Sequence, residues 1–227
     1  MNGVVIVAAG TGSRMNMGLS KQFIKIEGKE VIAYTIEKFY NNPNIEDIVV
    51  VVKEEECEFF KKEILDKYNF KNIKIAYGGK ERQDSVYNGL KLLDEKCSFV
   101  LIHDGARPFV SDKIIKNSIE EVKNHKAIVV GVPVKDTIKV IDNDKNIVDT
   151  PNRSVLWAVQ TPQTFDYNIL LDAYDDAFKN GFYGTDDAML VERIGYKVKM
   201  VEGSYNNIKI TTQEDLTIGS KILNTKY

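Results

Sequence analysis

Cysteine is almost absent: only Cys57 and Cys97 occur in 227 residues, in separate segments and with no C-x-x-C or Cys/His cluster. This scarcity excludes a disulfide framework and a cysteine-built zinc site, and it predicts two reduced thiols in a cytoplasmic chain. Long hydrophobic runs are missing too. No apolar stretch reaches the length of a membrane span, and the amino terminus has neither a basic n-region nor a cleavage site. Neither a membrane partner nor an export signal is therefore expected. Nor is there an excess of one charge: 31 Lys and Arg face 33 Asp and Glu, a formal net charge of -2. That argues against a nucleic-acid binder driven by bulk electrostatics, so any polyanion site has to be a local cluster of basic side chains. Internal repeats and low-complexity segments are absent as well.

What is present is a regular alternation of apolar runs and amphipathic stretches. Val4–Ala8, Ile48–Val52, Ile73–Ala76, Phe99–His103 and Ala127–Val132 read as strands, and their near-continuous Val/Ile content predicts burial on both faces. Between them, Ile32, Ile36 and Phe39, then Phe59, Phe60, Ile64 and Leu65, then Val86, Leu90 and Leu93 mark helical stripes. A fourth stripe, Ile114, Ile115, Ile119 and Val122, follows Ser111 as its N-cap. The order βαβα predicts an α/β fold, a doubly wound, mostly parallel sheet of Rossmann-like type with right-handed crossovers. Ligands in such sheets sit beyond the carboxyl ends of the strands. At 227 residues, a single domain spanning 1–227 is the simplest organisation.

The pattern changes at Pro133. Val134–Ile141, a polar turn Asp142–Asn146 and Ile147–Thr150 predict a long hairpin within 133–153. A lone two-stranded ribbon is marginally stable in water, so this arm is expected to pack on a second copy of the chain rather than on its own domain. After it come a segment Val155–Val159, helices near Tyr167–Asn180 and Thr185–Ile194, and strands Lys197–Val201 and Ile208–Ile210. A helix from Gln213 to Leu223, capped by Thr212, closes the chain.

Four clusters of chemistry-bearing residues lie at strand ends. After the first strand, Ala8-Ala9-Gly10-Thr11-Gly12-Ser13-Arg14 opens into glycines, with Lys21-Gln22 seven residues after Arg14. Glycine loops at strand ends expose backbone N–H groups that bind oxyanions, and two fixed cations add to that cradle. A dinucleotide fingerprint fails here because Met15 stands where the third glycine belongs, and no Walker A loop is present. A loop with its own Arg and Lys suits a nucleoside triphosphate attacked at phosphorus; an ordinary turn with solvated cations is the plain alternative. The second cluster is Gly78-Gly79-Lys80-Glu81-Arg82-Gln83-Asp84-Ser85, whose N–H groups and Ser85 hydroxyl can read a base edge or bind phosphate, or else merely start a helix capped by Asp84 or Ser85. The third is His103-Asp104-Gly105-Ala106-Arg107-Pro108, where Asp104 is placed to hold Mg2+ against phosphate oxygens. There His103 reads more simply as a packed imidazole, and Arg107 can equally be satisfied by pairing with Asp104. The fourth joins Arg153, at the end of the arm, with Lys209.

In order, these motifs resemble the 2-C-methyl-D-erythritol 4-phosphate cytidylyltransferase family of the methylerythritol phosphate pathway. The resemblance runs nearly end to end: A-A-G-x-G-x-R-M with Lys21-Gln22, G-G-x-x-R-x-x-S-V from Gly78, H-D-x-A-R-P from His103, P-V-x-D-T-x-K from Pro133, R-S-x-L-W-x-x-Q-T-P-Q-x-F from Arg153, T-D-D-A from Thr185 and N-x-K-I-T from Asn207. The resemblance implies a homodimer acting on CTP and a polyol phosphate, with Mg2+ as cofactor and arms that complete each other's active sites. It implies that Ala8, Ala9, Gly10, Gly12, Gly79, Ser85 and Asp104 contact the nucleotide, that Asp104 helps place the metal, and that Arg14, Lys21 and Lys209 grip phosphates. It further implies that Arg107 lies near the second substrate and that Thr137 and Arg153 reach it from the partner chain. Gly105, Ser20 and Gln213 depart from the usual pattern without removing a charge. The expected reaction is in-line attack of the acceptor phosphate on the α-phosphorus of CTP. The nucleophile is already anionic, so no Ser/His/Asp set is required. A ribitol 5-phosphate cytidylyltransferase and a non-catalytic nucleotide-binding module are the alternatives.

Overall fold

Apolar strands that alternate their side chains between two faces organise the chain, and helices cover both faces. The structure, a computed structural model, describes residues 1–10 and 20–225. Strand β1 (Asn2–Val7) leads past a small ribbon, β2 (Lys25–Ile26) with β3 (Lys29–Glu30), into helix α1 (Val31–Tyr40). Strand β4 (Asp47–Val52), helix α2 (Cys57–Phe60, extended by a π-helical turn Lys61–Asp66), strand β5 (Lys74–Tyr77) and helix α3 (Arg82–Leu90) follow. Next are β6 (Phe99–Asp104), α4 (Asp112–His125) and β7 (Ala127–Pro133). The arm carries β8 (Val140–Ile141) and β9 (Ile147–Asp149); after it come β10 (Trp157–Asp166), α5 (Tyr167–Lys179), α6 (Asp187–Arg193), β11 (Lys199–Glu202) and α7 (Gln213–Asn224).

Seven strands form one sheet in the order β11-β7-β10-β6-β1-β4-β5. All pairings are parallel except those of β10, which runs antiparallel between β6 and β7. The doubly wound, mostly parallel sheet is thus as the sequence predicts. Period-two alternation is visible in the core. Val4, Ile6, Val50, Val52 and Leu101 face α1 and α4, while Val5, Val49, Val51, Val100 and Ile102 face α3, α5 and α6. Each such fully buried Val, Ile or Leu contributes about 1.5–3 kcal/mol of transfer free energy. Ser111 caps α4, its side chain accepting from Ile114 N–H, and Thr212 caps α7 in a reciprocal pair with Asp215.

Four details differ from the sequence reading. Strand β10 continues through Gln160-Thr161-Pro162-Gln163-Thr164, a run too polar to read as a core strand, with a register shift between Val159 and Gln163. Ile208–Ile210 is not a strand; its two isoleucines pack with Ile26 and Val31, and Ile210 N–H donates to Ala106 O at 2.8 Å. Helix α3 is capped by Glu81 rather than by Asp84 or Ser85, with Asp84 accepting from the Glu81 N–H at 2.8 Å. The arm's ladder is short and pairs only with itself among the described residues.

Candidate active site

Because β1, β4, β5 and β6 are parallel neighbours, their carboxyl ends open at the same edge of the sheet, the position at which such folds bind ligands. In register, Val7 lies opposite Asp104, and Val52 opposite Tyr77. The segments leaving these ends are 8–10, 53–55, 78–82 and 104–106, and they enclose a cavity of about 530 Å³. Val7, Lys21, Gln22, Ser85 and Lys209 complete its described wall.

Local bonding explains how the wall holds its shape. Gln22, buried, donates from Nε2 to the Ala8 carbonyl and so fixes the turn after β1. Gly78 is required because a Cβ there would stand 2.4 Å from the Ala9 Cβ, so the ends of β1 and β5 approach through bare backbone. Ser85 Oγ accepts from Gly79 N–H at 3.1 Å and donates to Glu81 O at 3.0 Å, so it shapes the glycine pair as well as facing the cavity. The Gly105 turn is pinned by its N–H to Val7 O and by Thr35 Oγ1 donating to its carbonyl, both at 2.9 Å. An alanine there would place its Cβ 2.9 Å from Ile32 Cδ1, which gives a packing reason for glycine in this chain.

The electrostatic centre is Asp104, 8% exposed. Lys209 Nζ lies 2.9 Å from its Oδ2, Arg107 Nε lies 3.5 Å from the same oxygen, and Arg82 Nε lies 3.8 Å from Oδ1. Burial alone would raise the carboxyl's pKa, but Lys209, Arg82 and Arg107 together outweigh it and hold the group far below the usual carboxylate range. Asp104 is therefore ionised at physiological pH. Its N–H donates to Thr161 Oγ1 at 3.1 Å, a bond supplied by the antiparallel β10.

His103, fully buried, is not at the cavity wall. Nδ1 meets Thr161 Oγ1 at 3.0 Å and Nε2 meets Arg107 O at 3.1 Å, while the ring packs edge-on against Phe39. Burial pushes its pKa down to about 4, so the imidazole is neutral at physiological pH. The pH dependence follows from that direction. An unfolded histidine takes up its proton near pH 6.5 while the folded one does not until about 4, so His103 contributes stability that is complete above 6.5 and is lost as pH falls through that window. The loss is roughly 3 kcal/mol by linkage. Urea midpoints between pH 7.5 and 4 are therefore expected to fall less steeply in a His103→Gln variant than in the wild type. Parallel pH profiles for the two would show that another group carries the effect.

Of the residues singled out by sequence, Ala8, Ala9, Gly10, Lys21, Gly79, Ser85, Asp104 and Lys209 all line the one cavity. Gly12 and Arg14 lie outside the described residues. Arg107 stands behind Asp104, with Nη1 donating to Asn207 O at 2.8 Å. Thr137 and Arg153 are on the arm, away from the cavity wall of their own chain, and Arg153 Nη1 donates to Lys135 O at 2.6 Å. Six charged residues to which the sequence reading gave no role also line the cavity: Lys53, Glu54, Glu55, Lys80, Glu81 and Arg82. Arg82 carries a signal in the sequence, as the fixed arginine of the G-G-x-x-R-x-x-S-V run; Lys53 and Lys80 carry none beyond their place at strand ends.

A doubly wound sheet whose strand ends bring the Ala8–Gly10 and Gly78–Gly79 turns, a carboxylate and several cations to one cavity fits a nucleotidyltransferase. The solved structure of 4-diphosphocytidyl-2C-methyl-D-erythritol synthase from Anaerococcus prevotii superimposes with a TM-score of 0.87 at 36% identity, covering 99% of this chain and 96% of that one. The 2-C-methyl-D-erythritol 4-phosphate cytidylyltransferase of Francisella tularensis gives 0.83 at 33% identity, with 97% and 98% covered. The relative of that same name from Clostridioides difficile is 63% identical over 224 residues, 99% of this chain and 94% of its own. Residues 3–225 match the model of the 2-C-methyl-D-erythritol 4-phosphate cytidylyltransferase family, and the chain belongs to that family. It is accordingly an enzyme that transfers CMP from CTP to 2-C-methyl-D-erythritol 4-phosphate in isoprenoid precursor biosynthesis.

Proposed function

We propose that this transfer takes place in the cavity at the strand ends, with the triphosphate of CTP over Asp104 and Lys209 and the nucleoside against the turns at Ala8–Gly10 and Gly78–Gly79. The observation that carries the reading is the convergence of Lys209 and Arg82 on Asp104 in a cavity also lined by Lys21. Arg14, seven residues before Lys21, supplies a further cation in this reading. A phosphate oxygen of the acceptor forms a bond to the α-phosphorus, the bond from that phosphorus to the bridging oxygen breaks, and pyrophosphate leaves with the electron pair. A phosphate monoester has its second pKa near 6 and is largely dianionic at neutral pH, so no protein base is needed. The chain's work is to bring two anions together in line and to neutralise the charge on the equatorial oxygens.

Magnesium is the metal this site suits, as a composite ion only. No cluster of three or more His, Cys, Asp or Glu able to hold a metal occurs among the described residues. Asp104 offers one carboxylate that its three cations keep ionised, and Mg2+ is commonly bound by one or two carboxylates together with substrate phosphates. Bound there, the ion would supply charge neutralisation at the triphosphate oxygens.

The 133–153 arm is read as the contact between two copies in a cytoplasmic homodimer of single-domain chains, with Thr137 and Arg153 serving the other chain's acceptor subsite. Support comes from its exposed apolar side chains, Ile138, Val140, Ile141, Ile147 and Val148, on a ribbon too small to be stable alone. No helix among the described residues is long and apolar enough to cross a membrane.

Pyrophosphate release from CTP, followed with methylerythritol phosphate and in parallel with ribitol 5-phosphate, tests the assignment. The first acceptor is expected to exceed the second by roughly 10²-fold or more in kcat/KM. Parity or reversal would reassign the acceptor, and CTP binding without release from either would leave a binding module.

A further inference from the structure

We propose that Arg82 is a phosphate-binding cation of this active site and that Asp187, through a buried ion pair, is the residue that positions it. The proposal rests on the reading of the strand-end cavity given above. Arg82 is the first residue of α3, and its side chain, one-third exposed, lies between two carboxylates. Nη2 donates to Asp187 Oδ2 at 2.8 Å and Nε approaches Asp104 at 3.8 Å. Nη1 has no partner among the described residues, and the side chain forms part of the cavity wall. One edge of the guanidinium is thus tethered while another N–H edge is left for an anion. Such a planar fork binds phosphate oxygens best when its own orientation is fixed.

Asp187 has no direct role open to it, because it is 1% exposed and does not line the cavity. Every feature around it fixes its place. Its Oδ1 accepts from the Tyr174 hydroxyl, and the N–H groups of Asp187 and Ala188 both donate to Gln163 Oε1, at 3.2 and 3.0 Å. The preceding Asp186 caps α6 and accepts from Gln163 Nε2 at 2.8 Å. A strand next to the catalytic β6 therefore holds the start of α6 through one glutamine, and α6 in turn holds Arg82. This explains the Thr185-Asp186-Asp187-Ala188 run: the first aspartate caps the start of a helix and the second aims an arginine. Burial disfavours a charged Arg82, but the two carboxylates outweigh it and raise its pKa above the ordinary value, so the cation persists. When CTP brings negative charge to the corner between Arg82 and Asp104, an arginine fixed at Asp187 cannot fold back onto Asp104 and shield it.

The test is a kinetic cycle on the full-length enzyme, following pyrophosphate release with saturating CTP and methylerythritol phosphate. Arg82→Ala is expected to lower kcat on the order of 10²-fold. Guanidinium added to the buffer is expected to restore part of that loss. Asp187→Asn, with Arg82 present, is expected to lower kcat roughly 10- to 100-fold, as loss of an outer partner does elsewhere, with a smaller change in KM for CTP and no response to guanidinium. In the Arg82→Ala background the same Asp187→Asn change is expected to cost less than about 3-fold, because its only route to the substrate is gone. Equal costs of Asp187→Asn in both backgrounds would make Asp187 merely structural, and wild-type kcat in Arg82→Ala would remove Arg82 from the site. If Arg82→Ala does not fold, Arg82→Lys and Tyr174→Phe give the same contrast with the buried charges kept: Tyr174→Phe is expected to lower kcat in the wild type and not in Arg82→Lys. A wild-type chain that releases no pyrophosphate would instead overturn the underlying assignment, a separate outcome.

Discussion

Replacing Lys209 by alanine is expected to lower turnover by roughly 10²- to 10³-fold, the cost typical of removing one fixed donor from developing negative charge in a sequestered site. Lys209 is carried on irregular backbone, yet that backbone is tied on either side of it. Asn207 Nδ2 donates to Thr161 O at 2.9 Å, and Ile210 N–H donates to Ala106 O at 2.8 Å. Its ammonium is thus held beside Asp104 by the same strand ends that form the cavity. In the variant Asp104 keeps Arg82 and Arg107, so the carboxylate stays ionised, and the measured loss is that of a positive charge at phosphorus rather than of a protonated aspartate. Charge accumulates on the equatorial oxygens as the pyrophosphate leaves, so kcat is expected to fall by more than KM for CTP rises. Lys209→Arg is expected to recover only part of the rate, since a planar fork cannot reproduce a point charge at the same distance. Initial-rate measurements of pyrophosphate release decide the matter. Turnover within about 3-fold of wild type would exclude Lys209 from the reacting charge system.

Why the sequence discloses so much of this fold, and where it stops, follows from what each residue does. Strands β1, β4, β6 and β7 are legible because they are covered on both sides and so carry near-continuous apolar runs rich in Val and Ile. Their carboxyl ends then locate the cavity without further information. Strand β10 is hidden for the opposite reason. Its buried Gln160, Thr161 and Gln163 are there to make hydrogen bonds, to Ser204 O, to the Asp104 N–H and to the start of α6, and polar side chains bonded at long range look like loop residues in one dimension. Ile208–Ile210 misleads in the other direction, its apolar residues filling a small cluster under α7 without a neighbouring strand. Arg82 shows the limit for the site. The glycine-arginine-serine run is visible, but the partner that fixes the arginine lies 105 residues away, and no spacing rule reaches that far.

The arm gives the prediction that separates one chain's chemistry from two. Arg153→Ala is expected to lower turnover by roughly 10²-fold, because the guanidinium proposed to bind the acceptor phosphate has no replacement on the exposed ribbon. In its own chain Arg153 bonds Lys135 O at the root of the arm and stands apart from the cavity wall, so its effect is expected across the dimer and not within the chain. Neighbouring positions Ile147 and Val148 point to opposite faces of the ribbon, yet they are 62% and 61% exposed, so both faces present the apolar surface that the proposed dimer would cover. Mixing therefore distinguishes the cases. Arg153→Ala has an intact cavity and a defective arm, whereas Lys209→Ala has an intact arm and a defective cavity. In a heterodimer with arms exchanged, the Lys209→Ala chain lends its Arg153 to the other cavity, and one site of two is whole. Unfolded together at equal amounts and refolded, random pairing yields half heterodimers, so about a quarter of wild-type activity is expected to return from two nearly inactive parents. If each arm served its own chain, no pairing would assemble a complete site and the mixture would stay as inactive as its parts.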